Sequence, residues 1–226
     1  MTTCSSNRSM STIPMGRRFL LLRAAAATAV AALAAGLAPA RAANAGDPAA
    51  PIQQLNASLL AVMKAGQTTP FAQRFAMLNP AVEHAFDLKA LLHGAVGLGW
   101  DNLPADQQAA LAAAFQRYTV SNYTANFATY DGQSFRVLPE TRALPNGAVV
   151  VRTQIVRPGK SPVELDYVMR QTAAGWKAVD VLSDGTISQV AAQRSDFRGL
   201  LANGGAAALR AGLERKVATL SSGAIA

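Results

Sequence analysis

Asp180 is the residue whose type and setting come closest to chemistry. It lies in the strand-like run Trp176–Leu182, where alternation puts Trp176, Ala178, Asp180 and Leu182 on one face and Lys177, Val179 and Val181 on the other. A carboxylate among apolar neighbours can act as a general base, as in folds of the ketosteroid-isomerase shape. The alternative is a strand-end aspartate that pairs with an arginine, for which Arg194 is the candidate, or that caps the following helix. Ser188 offers a hydroxyl, but Gly185-Thr186-Ile187-Ser188-Gln189 lacks the nucleophile-elbow pattern, and helix capping is the better reading. His84 and His93 stand nine residues apart with no carboxylate at ligand spacing, so no metal site is expected. Gly97-Leu98-Gly99 is a turn and not a phosphate loop, because no Gly-Lys-Ser follows. No catalytic residue and no cofactor are therefore assigned.

Four cations, Arg152, Arg157, Lys160 and Arg170, gather around the strand connections. They can meet lipid phosphates or an acidic docking surface, or serve as the charged edge that keeps sheets from aggregating. Net charge is +8, but five of the 21 basic residues (Arg8, Arg17, Arg18, Arg23 and Arg41) precede the first acid, Asp47. The 16 that remain face 13 acids, an excess too small to imply a nucleic-acid partner.

The N-terminus reads as an export signal. Arg17-Arg18 opens an alanine-rich apolar run from Phe19 to about Leu37, followed by the small-x-small sites Ala40-Arg41-Ala42 and Ala43-Asn44-Ala45. Residues 1–42 are expected to be removed, with cleavage after Ala42 or Ala45, and residues 46–226 form a single domain. Cys4 lies in the removed part, so the mature chain has no thiol, which suits an oxidising periplasm.

The elements that must position these residues follow from periodicity. Ile52, Leu55, Leu59 and Met63 make one helical stripe, and Phe71, Phe75, Leu78 and Val82 another that Asn79-Pro80 should bend or break. Asp87–Val96 is a short helix. Pro104 and Asp106 start the longest one, with Leu111, Phe115, Tyr118 and Asn122 along a face. Four strands follow, Ser134–Leu144, Ala148–Arg157, Val163–Gln171 and Trp176–Leu182, with links short enough to require antiparallel pairing in a meander. Ser183-Asp184-Gly185 then turns the chain into a helix striped by Val190, Ala191, Arg194, Phe197 and Leu201, and Leu209, Leu213, Val217 and Leu220 mark a last one beyond Asn203-Gly204-Gly205. The expected fold is α+β: a four-stranded antiparallel meander sheet covered on one face by N-terminal and C-terminal helices, enclosing an apolar pocket.

Several of these stretches resemble the toluene-tolerance, or MlaC, family of periplasmic lipid-binding auxiliaries of ABC transporters. Phe86-Asp87 with Gly99-Trp100, Phe115 and Tyr123 with Tyr130-Asp131-Gly132, and Gly175-Trp176 with Asp180-Val181, Gly185, Ser188 and Arg194–Phe197 carry the resemblance over about residues 50–222. Gly185–Gln189 and Arg194-Ser195 look closest to the hopanoid-associated HpnM branch. Val179, where the general branch tends to have tyrosine, and Ile187-Ser188-Gln189 depart from the general pattern. The resemblance implies a periplasmic, monomeric carrier that shuttles phospholipid or hopanoid between complexes in the inner and outer membranes, without catalysis. Lining candidates are Val149, Val151, Ile155, Leu165, Tyr167 and Met169 on the sheet, and Phe75, Phe115, Phe127 and Leu201 on the helices. The other readings are a small-molecule enzyme using Asp180 and an exported interaction module with a filled core.

Overall fold

A computed structural model describes residues 46–225; the export signal and its cleavage sites lie outside the described residues. Four helices come first: α1 (Ala50–Ala65), α2 (Phe71–Ala85), α3 (Leu88–Val96) and α4 (Ala105–Asn126), with a 3₁₀ segment, Gly97–Asn102, between the last two. The sheet follows as β1 (Ser134–Ala143), β2 (Val149–Val156), β3 (Val163–Thr172), β4 (Gly175–Ser183) and β5 (Ile187–Ser188), and α5 (Gln189–Ser221) ends the fold. Ile52, Leu55, Leu59 and Met63 are buried along α1, as their spacing requires. Helix α2 is not broken at Pro80 and continues to Ala85. The lost backbone bond is outweighed by the burial of Leu78, Ala81 and Val82 on its inner face. Among the described residues no helix is long and apolar enough to cross a membrane.

The sheet is open and antiparallel, in the order β1-β2-β3-β4-β5, and helices cover it only in part. It has five strands where periodicity gave four, because Ile187 and Ser188 pair with Ser183 and Leu182 before the helix starts. Asp184 and Gly185 both take positive φ, 51° and 70°, and this turn chemistry matches the right-handed twist of strands. The Asp-Gly pair therefore closes a hairpin instead of leading directly into α5.

A second correction concerns which way β4 faces. Val168 pairs with Asp180 and Met169 with Ala178, so Val179 is an extra residue, a β-bulge. Up to Ala178 the face expected from alternation holds. Beyond the bulge Val181 and Ser183 share the inner face with Tyr167 and Leu165, and Asp180 and Leu182 turn to the other. The bulge also leaves the Ala178 carbonyl to accept a hydrogen bond from the Asp87 N–H at 2.9 Å, which ties the α2–α3 junction to the strand.

Helix α5 is kinked where Gly204 and Gly205 leave helical geometry. Its first half docks on α3. Arg194 donates from Nε and Nη2 to the Gly94 carbonyl at 2.8 and 2.6 Å. Gly94 allows this approach: a Cβ there would stand 2.8 Å from Val190 Cγ1. Among the described residues buried Arg74 has no carboxylate partner. It donates to the Thr69 carbonyl and to that of Thr124 in the last turn of α4, where the helix dipole favours a cation.

Candidate functional site

Between α4, the start of α5 and the inner face of the sheet lies a cavity of about 260 Å³. Each wall follows from a local pattern. Phe115, Thr119, Asn122 and Asn126 are spaced at three to four residues along α4 and so share a stripe facing the sheet. Ile155, Leu165, Val181 and Ser183 come from β2, β3 and β4 on one sheet face. The first turn of α5 closes one end with Gln189, Val190 and Gln193. The lining contains no charged side chain.

A second cavity, about 460 Å³, shares Asn126, Phe127 and Ile155 with the first. Its far wall is polar and includes Thr129, Asp131, Gln133, Arg157 and Lys160. Phe127, the residue that ends α4, stacks on Tyr123 at 5.9 Å and contacts Phe135 at the same distance. It stands as the partition between an apolar chamber and a polar one.

Of the ten expected lining residues, the structure brings Phe115, Phe127, Ile155 and Leu165 to these cavities. Val151, Tyr167 and Met169 lie on the same sheet face but are fully packed, at 0, 1 and 0% exposure. Val149, opposite Met169, and Phe75 on α2 are half-buried and line neither chamber. Leu201 lines a separate groove beside Gly97–Gly99. Phe86, Tyr118, Tyr123 and Val181 were not among the candidates. The stripe Leu111, Phe115, Tyr118, Asn122 carried the signal for Tyr118, but a polar residue on a helix face does not by itself read as cavity wall.

Asp180 is spent on structure. Its Oδ1 accepts from the Val181 N–H at 2.7 Å and the Val190 N–H at 3.2 Å, and its Oδ2 accepts from the Ser188 hydroxyl at 2.5 Å. Ser188 in turn caps α5, accepting from the Ala191 N–H at 3.0 Å. The aspartate thus caps the next helix, and Arg194, committed to Gly94, is not its partner. The carboxylate that burial does raise in pKa, Asp166, faces away from the cavity, where its side chain accepts from the Thr153 N–H and lies 4.0 Å from Arg152. His93 is exposed, 3.6 Å from Asp101, and among the described residues no three ligands converge on a metal position.

The cavity's own titratable groups are tyrosines. Burial pushes the Tyr123 phenol far above its ordinary value of 10.0, with a smaller opposing effect from Tyr167. Burial is also the main cause for Tyr167 and for Tyr118. Unfolding therefore releases protons above pH about 10, and stability present below that pH is lost as pH rises past it. In an alkaline titration followed by tyrosinate absorbance, Tyr123 and Tyr167 should ionise only as the protein unfolds. Smooth titration of Tyr123 and Tyr167 without unfolding would contradict the packing described.

The MlaC protein family matches residues 53–215, more than half of the chain. Among solved structures, a phospholipid-binding protein from Ralstonia solanacearum, in complex with a phospholipid, has the same fold. The TM-score is 0.67 at 23% identity, over 78% of this chain and 99% of that one. The chain belongs to the MlaC family, whose members are periplasmic lipid-binding transport proteins and not enzymes.

Proposed function

We propose that the mature chain, released by signal cleavage after Ala42 or Ala45 and folded as a single domain over residues 46–226, carries a lipid through the periplasm. It exchanges that lipid with membrane-embedded transport complexes of the inner and outer membranes. The acyl chains lie in the chamber between α4 and the sheet, against Phe115, Phe127, Ile155 and Leu165. The observation that carries this reading is a cavity lined without charge that shares a wall, at Asn126, Phe127 and Ile155, with a polar one. Transfer from water stabilises a chain by roughly 0.8 kcal/mol per methylene, so a lipid cannot cross an aqueous gap without such a chamber. At about 260 Å³ the apolar chamber falls just short of the roughly 300–1,000 Å³ of ordinary ligand pockets. A two-chain lipid therefore requires both chambers, with Phe127 swung aside. The phospholipid held by the Ralstonia protein supports a glycerophospholipid as cargo. The Gly185–Gln189 and Arg194-Ser195 runs support a hopanoid and the HpnM branch.

Native mass spectrometry of protein purified from periplasm tests the reading. A mass increment equal to one lipid is expected, and extraction followed by mass analysis separates phospholipid from hopanoid. Folded protein that leaves cells empty and takes nothing from vesicles would overturn it.

A further inference from the structure

We propose that Arg157 and Lys160 hold the phosphate of the cargo, so that the protein selects a phosphate-bearing lipid over a neutral one. The proposal rests on the lipid-carrier reading above and adds the headgroup chemistry and the lipid's orientation. The two chambers together have two polar ends. The end at α5, formed by Gln189, Gln193, Asn122 and Ser183, is polar but uncharged. The other, at the β2–β3 connection, carries Arg157 and Lys160, with Asp131 as its one acid. An anionic headgroup is favoured only at the second.

Arg157 is the less ordinary of the two cations. Its Nε is buried and makes no hydrogen bond among the described residues. Such a donor is costly to leave unmade, and a phosphate oxygen is the acceptor that best suits a guanidinium. No carboxylate lies within ion-pair distance of Arg157 or Lys160 among the described residues, so neither charge is neutralised by a contacting acid. The pair is held in place by the turn that bears it: the Lys160 N–H donates to the Arg157 carbonyl at 3.2 Å. Pro158 between them packs on the neighbouring turn, where a Cβ on Gly132 would stand 3.0 Å from Pro158 Cγ. Gly132 also takes φ +84°, so its identity serves both the turn and this close approach.

The test is competitive loading from vesicles containing equal amounts of phosphatidylglycerol and diacylglycerol with the same acyl chains. The wild-type protein is expected to take up phosphatidylglycerol over diacylglycerol by about tenfold, the scale of one charge-assisted hydrogen bond. The double variant Arg157→Gln, Lys160→Gln should bring that ratio close to one, and Lys160→Gln, at an exposed position that cannot threaten the fold, should lower it partway. A wild-type ratio near one, or a ratio unchanged in the double variant, overturns the headgroup site and leaves the carrier reading standing. Uptake of neither lipid overturns this proposal, and the carrier reading falls with it only if the protein purified from periplasm also carries no lipid. Inorganic phosphate titrated into the lipid-free protein separates a lipid phosphate from a free one. No saturable heat is expected, and saturable binding abolished by the double variant would reassign the pair to a free anion.

Discussion

Leu165→Trp should yield a folded protein that has lost most of its lipid, at least tenfold in occupancy, whereas Val151→Trp should lose stability first. Both residues are aliphatic and point to the inner face of the sheet, where Val151 pairs with Tyr167 and Leu165 with Ser183. They differ in what they face. Leu165 is half-buried against a cavity of about 260 Å³, so an indole there has space to enter and would occupy the volume assigned to an acyl chain. Val151 is 0% exposed and packed among the buried core residues. Overpacking such a site costs about 1–3 kcal/mol and sometimes more, or some 2–4 °C in Tm per kcal/mol at this chain length. Thermal unfolding beside native mass spectrometry separates the two outcomes. Full lipid occupancy in folded Leu165→Trp would remove Leu165 from the cavity wall.

Asp180→Ala should destabilise the protein by about 2–4 kcal/mol, because one carboxylate satisfies three donors and joins β4 to the start of α5. Truncation strips the Val190 N–H of its side-chain acceptor and leaves the Ser188 hydroxyl, which caps the helix, without its own acceptor. Ser188→Ala alone should cost about 1 kcal/mol. The double variant should cost less than the two single losses added, because they break one network. Urea unfolding of the four proteins closes this cycle. Strict additivity would mean that the two side chains act independently. A general base would behave differently, since its removal would abolish turnover with little effect on stability. The oxygens of Asp180 are instead occupied by backbone and hydroxyl donors.

Much of the architecture could be read from residue order. The α1 stripe is buried as spaced, Ser188 caps α5, and the strands pair as a meander in chain order. These features are local: a stripe, a cap or a short link carries its geometry in a few adjacent residues. The site was less legible. Alternation placed Asp180 beside Trp176 and Ala178, which assumes that nothing is inserted, yet Val179 bulges and reverses every side chain after it. Likewise Asp184-Gly185 could be read as a turn, but not that two residues beyond it would pair back as β5.

The ten candidate lining residues divide for the same reason. Sequence alone determined that these positions are apolar and, for those on the strands, that they share the inner face of one sheet. It also determined the family through the order of its short motifs. Only the tertiary structure decided that Leu165 and Ile155 border empty space while Tyr167 and Met169 are packed solid. Apolarity reports what a side chain gains by leaving water, and that gain is the same whether the neighbour that excludes water is another side chain or a guest. Whether the space opposite is filled depends on how far α4 stands from the sheet, and residues remote in sequence set that distance. The 2.9 Å bond that ties the α2–α3 junction to β4 at Asp87 and the Arg194–Gly94 clasp between α5 and α3 are contacts of this long-range kind.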